Sequence, residues 1–272
     1  MLTKHEVHHE TKRDSLCPFI IHPWVKGGNL VSNWHSNVEV ICTLWGELTL
    51  QYDDETMTLN GGDISVIGSN ALHRVTAGHT KEYHCIIIDS QFCKENGIDT
   101  DGVAFEKKFV DSNTHTLCCR VAECYNTYVS EPKEVNVAKL RAAVLLLLID
   151  IFENHRIPDT YTARARNNTS EQYVKNVISY LAGRYMEKVT LDGLAEMCGV
   201  TKCHLSREFK KYTGQTVMTY LNLLRCKNAQ RMIKDGSSIT EASINVGFDD
   251  LSYFSKTYKR LIGTTPTEAK GG

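Results

Sequence analysis

Two stretches near the C-terminus carry the same polar and basic residues at the same spacing. One runs from Gly199 to Gly214 and offers Lys202, Cys203, His204, Ser206, Arg207, Lys210 and Lys211. The other runs from Gly247 to Gly263 and offers Leu251, Ser252, Ser255, Lys256, Lys259 and Arg260. The leading glycines lie 48 residues apart and the trailing ones 49. Each stretch repeats one order: ring, apolar residue, Ser, basic residue, any residue, aromatic, basic, basic. Ammonium and guanidinium groups neutralise phosphates, while hydroxyl and guanidinium groups set against base edges read sequence. A different chemistry sits near the N-terminus. His35, Glu39 and His73 supply two imidazoles and a carboxylate. These suit hydrogen bonding to a polar ligand, or zinc or iron, or simply a satisfied structural role.

The elements that must position the basic stretches are helices. Leu191, Leu194, Ala195 and Cys198 fall at helical spacing and Gly199 stops that helix, because glycine suits the left-handed residue at a helix end. Thr201 can cap the next helix, whose buried stripe is Leu205 and Phe209, four apart. Cys203, Ser206, Arg207 and Lys210 then face outward. The second copy uses Ile239, Ala242, Ser243 and Val246, then Gly247, then a stripe of Phe254 and Tyr258. Leu251, Ser252, Ser255 and Lys256 are its outward face. Two helices joined by a glycine turn, the second with an exposed polar face, make a helix-turn-helix. Between the copies, Thr216 to Lys234 reads as one long helix. At about 27 Å it spaces the two outward helices by roughly one DNA turn.

Residues 19–90 read instead as short strands with glycine turns, which suggests a small barrel or jelly roll. Val38–Leu44 and Glu47–Tyr52 predict a hairpin around Gly46. Met57–Leu59, Ile64–Ile67 and Cys85–Ile88 follow, with Gly61-Gly62 as a turn. Residues 113–155 read as two helices, and the second, Val135 to His155, is more apolar than packing on one barrel face requires. Ile157 to Ser170 is polar and reads as a linker. The domains expected are 1–156, a linker 157–170, and 171–272.

Leu191 to Lys270 resembles the paired helix-turn-helix domain of AraC/XylS-type transcription regulators, most specifically in Gly247–Arg260 followed by Gly263-Thr264-Thr265-Pro266. The resemblance implies that Cys203, Ser206 and Arg207 touch bases and that Lys202, His204, Lys210 and Lys211 lie near phosphates. Leu251, Ser252, Ser255 and Lys256 are the matching second set, with Lys259 and Arg260 beside them. Cys203 and Leu251 suit apolar contact with a thymine methyl. The spacing of His35, Glu39 and Gly46, with Gly62-Asp63 and His73, is similar to the cupin motifs of that family's effector-binding barrel. A metal-binding cupin usually has a further His where this chain has Asn33, and Gly68 and Asn70 stand where the second motif often has Pro and Gly. The resemblance therefore implies a barrel in which His35, Glu39 and His73 hydrogen-bond a small-molecule effector, with sugars as a candidate class, and Trp34 or Trp45 is an apolar wall. No metal or other cofactor is assigned. The implied fold is α+β in two domains: a cupin-like barrel with a helical pair, then an all-α domain with two helix-turn-helix units.

Charge agrees with this division. Residues 170–272 carry 15 Lys+Arg against 10 Asp+Glu, and residues 1–169 carry 16 against 22, within a chain of net charge −1. The basic half is the repeated half, as phosphate binding requires. Ten cysteines show no C-x-x-C pair and no zinc-type spacing. No signal peptide is visible, and the longest apolar run, Ala142 to Ile149, is eight residues, well short of a membrane span. A cytoplasmic protein with reduced thiols is expected. His5-Glu6-Val7-His8-His9 fits H-E-x-x-H, but that motif works on an ordered helix, and here it opens a charged terminus. The function expected is a sequence-specific, effector-controlled transcription regulator, an activator by resemblance. It acts as a homodimer on promoter DNA and RNA polymerase, without membrane contact and without being an enzyme. The alternative is a metal-dependent cupin enzyme with an appended helical module.

Overall fold

The computed structural model describes residues 17, 19–29, 32–158 and 169–271, so the H-E-x-x-H string lies outside the described residues. The chain divides into two compact units, one holding the strands and one holding residues 169–271. Among the described residues no helix is long and apolar enough to cross a membrane.

Six strands form the sheet of the first unit: β1 (Phe19–Asn29), β2 (Val38–Trp45), β3 (Glu47–Tyr52), β4 (Glu55–Asn60), β5 (Ile64–Ile67) and β6 (His73–Ile88). Their order is β4-β3-β6-β2-β5, with β1 also on β6. The expected hairpin around Gly46 is not formed. β2 pairs with the C-terminal half of β6 (Val38 opposite Ile88, Cys42 opposite His84), and β3 pairs with its N-terminal half (Leu48 opposite Ala77, Tyr52 opposite His73). The two are one bent strand lying along β6. The reason is geometric: a hairpin needs about two residues to reverse direction, and Gly46, at φ +83°, only bends it. The reversal comes at Asp53-Asp54, where Asp53 takes φ +53° and Tyr52 faces Glu55. Gly61-Gly62 does turn the chain, and it locks the bend. Gly61 N–H donates to the Gly46 carbonyl (3.0 Å) and Gly62 N–H to that of Thr43 (2.8 Å). A Cβ on Gly61 would lie 3.1 Å from the Trp45 Cα, so this close approach needs glycine.

The central strands β2 and β5 are buried on both sides, and the two-residue period sorts the side chains. Val38, Val40, Cys42, Ile64, Val66, Ile86 and Ile88 share one core with the helices. Ile41, Leu48, Leu50, Ile67, Val75, Cys85 and Ile87 form the other, inside the barrel. Among the described residues three helices belong to this unit: α1 (Ser90–Glu95), α2 (Ser112–Ser130) and α3 (Glu134–Asn154). Asp111 caps α2 by accepting from the Thr114 N–H at 2.7 Å. α3 buries Leu140, Val144, Leu147, Leu148 and Ile151. A two-stranded piece, β7 (Ala104–Phe105) with β8 (Arg156–Ile157), ends the unit. Of the segment expected as a linker, Ile157 lies in β8 and Thr169 begins the next helix, while residues 159–168 lie outside the described residues.

The second unit is helical: α4 (Thr169–Arg184), α5 (Leu191–Cys198), α6 (Lys202–Thr213), α7 (Val217–Lys234), α8 (Ile239–Asn245), α9 (Leu251–Ile262) and α10 (Pro266–Gly271). Their ends follow the expected capping chemistry. Thr190, Thr201, Thr216, Ser238 and Asp250 each accept a hydrogen from a first-turn N–H. Gly199, Gly214 and Gly263 end helices in the left-handed conformation. α7 lies at the centre, burying Tyr220, Leu221, Leu223, Leu224, Ala229 and Ile233. Its Arg225 donates from Nε to the Tyr185 carbonyl (2.7 Å) and from Nη2 to that of Glu187 (2.9 Å). The same guanidinium lies over the Phe248 ring, 5.6 Å from its centroid.

The two turn glycines separate conformational strain from crowding. Both have positive φ, but a Cβ on Gly199 meets nothing within 4 Å, whereas one on Gly247 would lie 2.6 Å from the Met186 carbonyl oxygen. Gly199→Ala should cost about 1–2 kcal/mol in chemical denaturation, the left-handed penalty alone. Gly247→Ala should cost clearly more, and equal losses would contradict the packing of this turn.

Candidate nucleic-acid interface and buried barrel site

The first outward helix, α6, is fixed from below by Leu205, Phe209 and Tyr212, all buried. On its other side Lys202, Cys203, Arg207, Lys210 and Lys211 are exposed, and His204 and Ser206 are half-buried. The exposed side chains are already organised. Arg207 donates from Nε to Glu208 Oε1 (3.0 Å) and from Nη2 to His204 Nδ1 (3.0 Å). Lys202 Nζ lies 3.0 Å from Asp192 Oδ1. Exposed pairs of this kind are worth little in water, so a phosphate or base edge can replace them at small cost.

The second outward helix, α9, buries Phe254, Thr257 and Tyr258. Leu251, Ser252, Lys256, Lys259 and Arg260 are exposed, and Ser255 is half-buried and donates to the Leu251 carbonyl at 2.9 Å. Leu251 is 43% exposed, an apolar side chain with no core role of its own. Both helices end their last turn with two basic residues, which also face the negative helix end favourably.

Sequence reasoning missed two residues here. Tyr253 is half-exposed on α9, and its hydroxyl accepts from Asn222 Nδ2 at 3.1 Å. Its signal was the repeat itself, in which it matches His204. Arg225 was the other, and its signal was a cation that directly follows the apolar pair Leu223-Leu224 of α7.

In the barrel, His35, Glu39 and His73 come together and are buried. Both imidazoles reach one carboxylate oxygen: His35 Nε2 lies 3.0 Å and His73 Nε2 3.1 Å from Glu39 Oε2. Their Nδ1 atoms lie 3.1 Å from the Asn37 carbonyl oxygen and 3.0 Å from that of Ala71. The Cys85 thiol donates to Glu39 Oε1 at 3.3 Å. Burial opposes ionisation of Glu39, yet the charge of His73 and the hydrogen bonds from both imidazoles outweigh it and hold the carboxyl well below the ordinary range. Burial likewise opposes the charged form of His73, and the Glu39 carboxylate outweighs it and raises that imidazole. Burial, then the Glu39 charge, pushes the Cys85 thiol well up.

Two expected members differ. Trp34 is buried next to His35 in sequence. Trp45 is not part of this group: it is 48% exposed, and its Nε1 donates to Glu82 Oε2 at 2.7 Å. The pairing of β2 with β6 shifts register between Thr43 and Trp45, which takes the ring out of the inward series. The second motif is structural in part. Asp63 Oδ2 accepts from the Asn60 N–H (2.6 Å) and pairs with Lys108 (2.9 Å), and a Cβ on Gly68 would lie 2.9 Å from the Val103 carbonyl oxygen. Among the described residues a second group with metal-ligand atoms in reach is Asp111, Asp150 and His155.

Comparison with known proteins follows the same division. Residues 31–148 match the model of the AraC-like ligand binding domain, and residues 194–271 match that of a helix-turn-helix domain. An uncharacterized HTH-type transcriptional regulator of Bacillus subtilis, YbfI, is 27% identical over 212 residues, which is 76% of this chain and 75% of the relative. HTH-type regulators of Staphylococcus aureus are 24% identical over 224 residues, 81% of this chain. The match spans only 30% of those staphylococcal proteins. Among solved structures, an AraC-type regulator from Chromobacterium violaceum is 27% identical, with a TM-score of 0.36 over 39% of this chain and 95% of that one. ToxT of Vibrio cholerae with bound unsaturated fatty acid is 12% identical, with a TM-score of 0.46 over 92% of this chain and 94% of that one.

The exposure of α6 can be read chemically. All ten cysteines are free thiols, and Cys203 is exposed while Cys42, Cys85, Cys93, Cys118 and Cys226 are buried. A maleimide reagent should modify Cys203 first in the native chain and reach the buried five only on unfolding. Mass spectrometry of timed digests gives the order, and early labelling of Cys85 or Cys226 would refute the packing described.

Proposed function

We propose that the chain, which matches the AraC-like ligand binding domain and a helix-turn-helix domain, is an AraC-type DNA-binding transcription regulator with an effector-binding barrel ahead of its helix-turn-helix domain, and that it activates transcription as a cytoplasmic homodimer. In this reading the two outward helices α6 and α9 enter successive major grooves of promoter DNA, and a small molecule bound in the barrel controls how they are presented to DNA and RNA polymerase. The observation that carries the DNA reading is the pair of outward faces, each polar in its first turns and dibasic in its last, built on one folded unit around α7. Cys203, Ser206 and Arg207, with Leu251, Ser252, Ser255 and Lys256, are the base-facing residues of this proposal. Lys202, His204, Lys210, Lys211, Lys259 and Arg260 are its phosphate contacts.

The effector reading rests on the polar group inside the barrel, His35, Glu39 and His73, with the sugar class as the first to try. A small molecule changes occupancy only by binding two arrangements of the protein unequally.

The dimer reading rests on α3. Val135, Ala138, Ala142, Leu145 and Ile149 recur at spacings of three and four, the period of a coiled-coil seam. Val135, Leu146 and Ile149 are exposed at 56, 49 and 38%, on the side opposite the residues that pack on the barrel. Such a stripe is an expected site of self-association.

Two experiments test these proposals. Genome-wide occupancy of the tagged protein should show discrete promoter peaks that Arg207→Ala with Lys256→Ala abolishes. Unchanged peaks in that variant would remove both helices from the interface. On a promoter so found, Arg207→Ala should cost about 1–3 kcal/mol and relax selectivity, while Lys211→Ala should weaken all sequences alike and flatten the salt dependence. Separately, Leu146→Glu with Ile149→Glu should halve the mass of the wild-type particle in light scattering. A variant that stays dimeric would place the interface elsewhere.

A further inference from the structure

Helix α2 carries two stripes. Cys118 and Val121 pack into the apolar core shared with the sheet. A second stripe, Thr116, Arg120, Glu123 and Thr127, recurs at spacings of three and four, so its members share one side of the helix. A helix that only packed would carry apolar residues there. Where α2 meets the first turns of α3, this stripe and Lys139 line an open cavity of about 520 Å³. Sites for small molecules span roughly 300–1,000 Å³.

The charges of this cavity differ from those elsewhere in the unit. Lys94, Lys107, Lys108 and Lys133 each hold a carboxylate, at 2.8–3.1 Å. Among the described residues Arg120 and Lys139 have neither an ion pair nor a hydrogen bond. Two cations face one carboxylate, Glu123, and positive charge is in excess. An anionic group set between guanidinium and ammonium balances it and receives charge-assisted hydrogen bonds. The remaining oxygens have the opposite need. Thr116 Oγ1 donates to the Ser112 carbonyl (2.8 Å) and Thr127 Oγ1 to the Glu123 carbonyl (3.0 Å). Each hydroxyl has one hydrogen, so toward the cavity both can only accept, as the Glu123 carboxylate does. The cavity offers donors to an anion and, along α2, acceptors to O–H groups.

The thiols beside it are walls. Cys119 and Cys124 are half-buried at the cavity, and Cys119 Sγ lies 3.8 Å from His115 Nδ1. Burial pushes the Cys119 thiol up, which keeps it protonated and a poor nucleophile. We propose that the cavity between α2 and α3 binds a small hydroxylated anion, a sugar acid or a sugar phosphate. Arg120 and Lys139 hold its anionic group, and its hydroxyls donate to Glu123 and the threonine oxygens. This site is separate from the closed cluster of His35, Glu39 and His73. It depends on neither the barrel reading nor the DNA reading, and its failure would leave both standing.

Gluconate and glucose 6-phosphate are the probes, titrated calorimetrically into the full chain, with glucose and inorganic phosphate as controls. At least one of the two sugar anions should bind one per chain, and the one that does identifies the anionic group. Glucose lacks the charge and should bind at least roughly tenfold more weakly. Arg120→Gln and Lys139→Gln should each weaken binding roughly tenfold, the effect of one hydrogen bond to a charged group. Both side chains are exposed, so these variants should keep the wild-type Tm. The bound anion should also slow maleimide labelling of Cys119 and Cys124 while Cys203 reacts as before. The assignment falls if neither sugar anion binds, or if inorganic phosphate binds as tightly as glucose 6-phosphate. It falls equally if binding survives in the double variant, or if bound anion leaves Cys119 and Cys124 as reactive as in the free chain.

Discussion

The interior of the first unit follows from central strands that are buried on both faces. With solvent on neither side of these strands, the two-residue period no longer separates apolar from polar; it separates two interiors. Val38, Val40 and Cys42 go to the helices, and Glu39 and Ile41 go to the inside. The same parity on β6 puts His73, Val75, Cys85 and Ile87 inside. A carboxylate placed there must be compensated, because an unpaired buried charge costs several kcal/mol. The strands that close around it supply the compensation: an imidazole from the segment before β2, another from the first residue of β6, and a thiol from further along β6. A one-residue slip of β6 would send His73 and Cys85 to the helical side and leave Glu39 alone. The polar cluster therefore fixes the register of the apolar strands around it, as well as depending on it.

The helical unit obeys a comparable constraint through Arg225. Its guanidinium takes two carbonyls at the end of α4 and lies over Phe248, beside the Gly247 turn of the second helix-turn-helix. Burial disfavours its charge, and those two carbonyls and the ring face offset that cost. The side chain ties the helix before the first helix-turn-helix to the turn of the second. Together with the buried side chains of α7, it makes the two outward helices parts of one rigid unit rather than two modules on a string. The relative placement of α6 and α9 is thereby built into the folded unit.

Legibility in the sequence tracked how local the cause was. The second unit was readable almost residue by residue, because caps, glycine stops and i, i+4 stripes are local: Thr201, Gly199, Leu205 with Phe209, and Phe254 with Tyr258 all stand as the spacing implied. The barrel was readable as strands but not as pairings. Gly46 looks like a turn to any local rule, and only the long partner β6 makes it a bend. Trp45 was expected as a barrel wall from the family resemblance, and the register shift beside it turned it outward. His35, Glu39 and His73 were found by motif spacing. Cys85 and Arg225 were not found, since what makes each matter is a partner distant in sequence, at 46 residues for Cys85.

The closure of the barrel bears on how an effector would act. His35, Glu39 and His73 are each no more than 3% exposed, so a small molecule cannot touch them in the arrangement described. Contact requires a more open arrangement, and the measured affinity would be the intrinsic affinity reduced by the population of that open state. Binding would then necessarily shift the population toward opening, with no further mechanism needed to couple the two. A preformed cup would bind more tightly but would change little on binding. A closed, polar-cored barrel gives up affinity for a conformational response, which is what control of a DNA-binding unit requires.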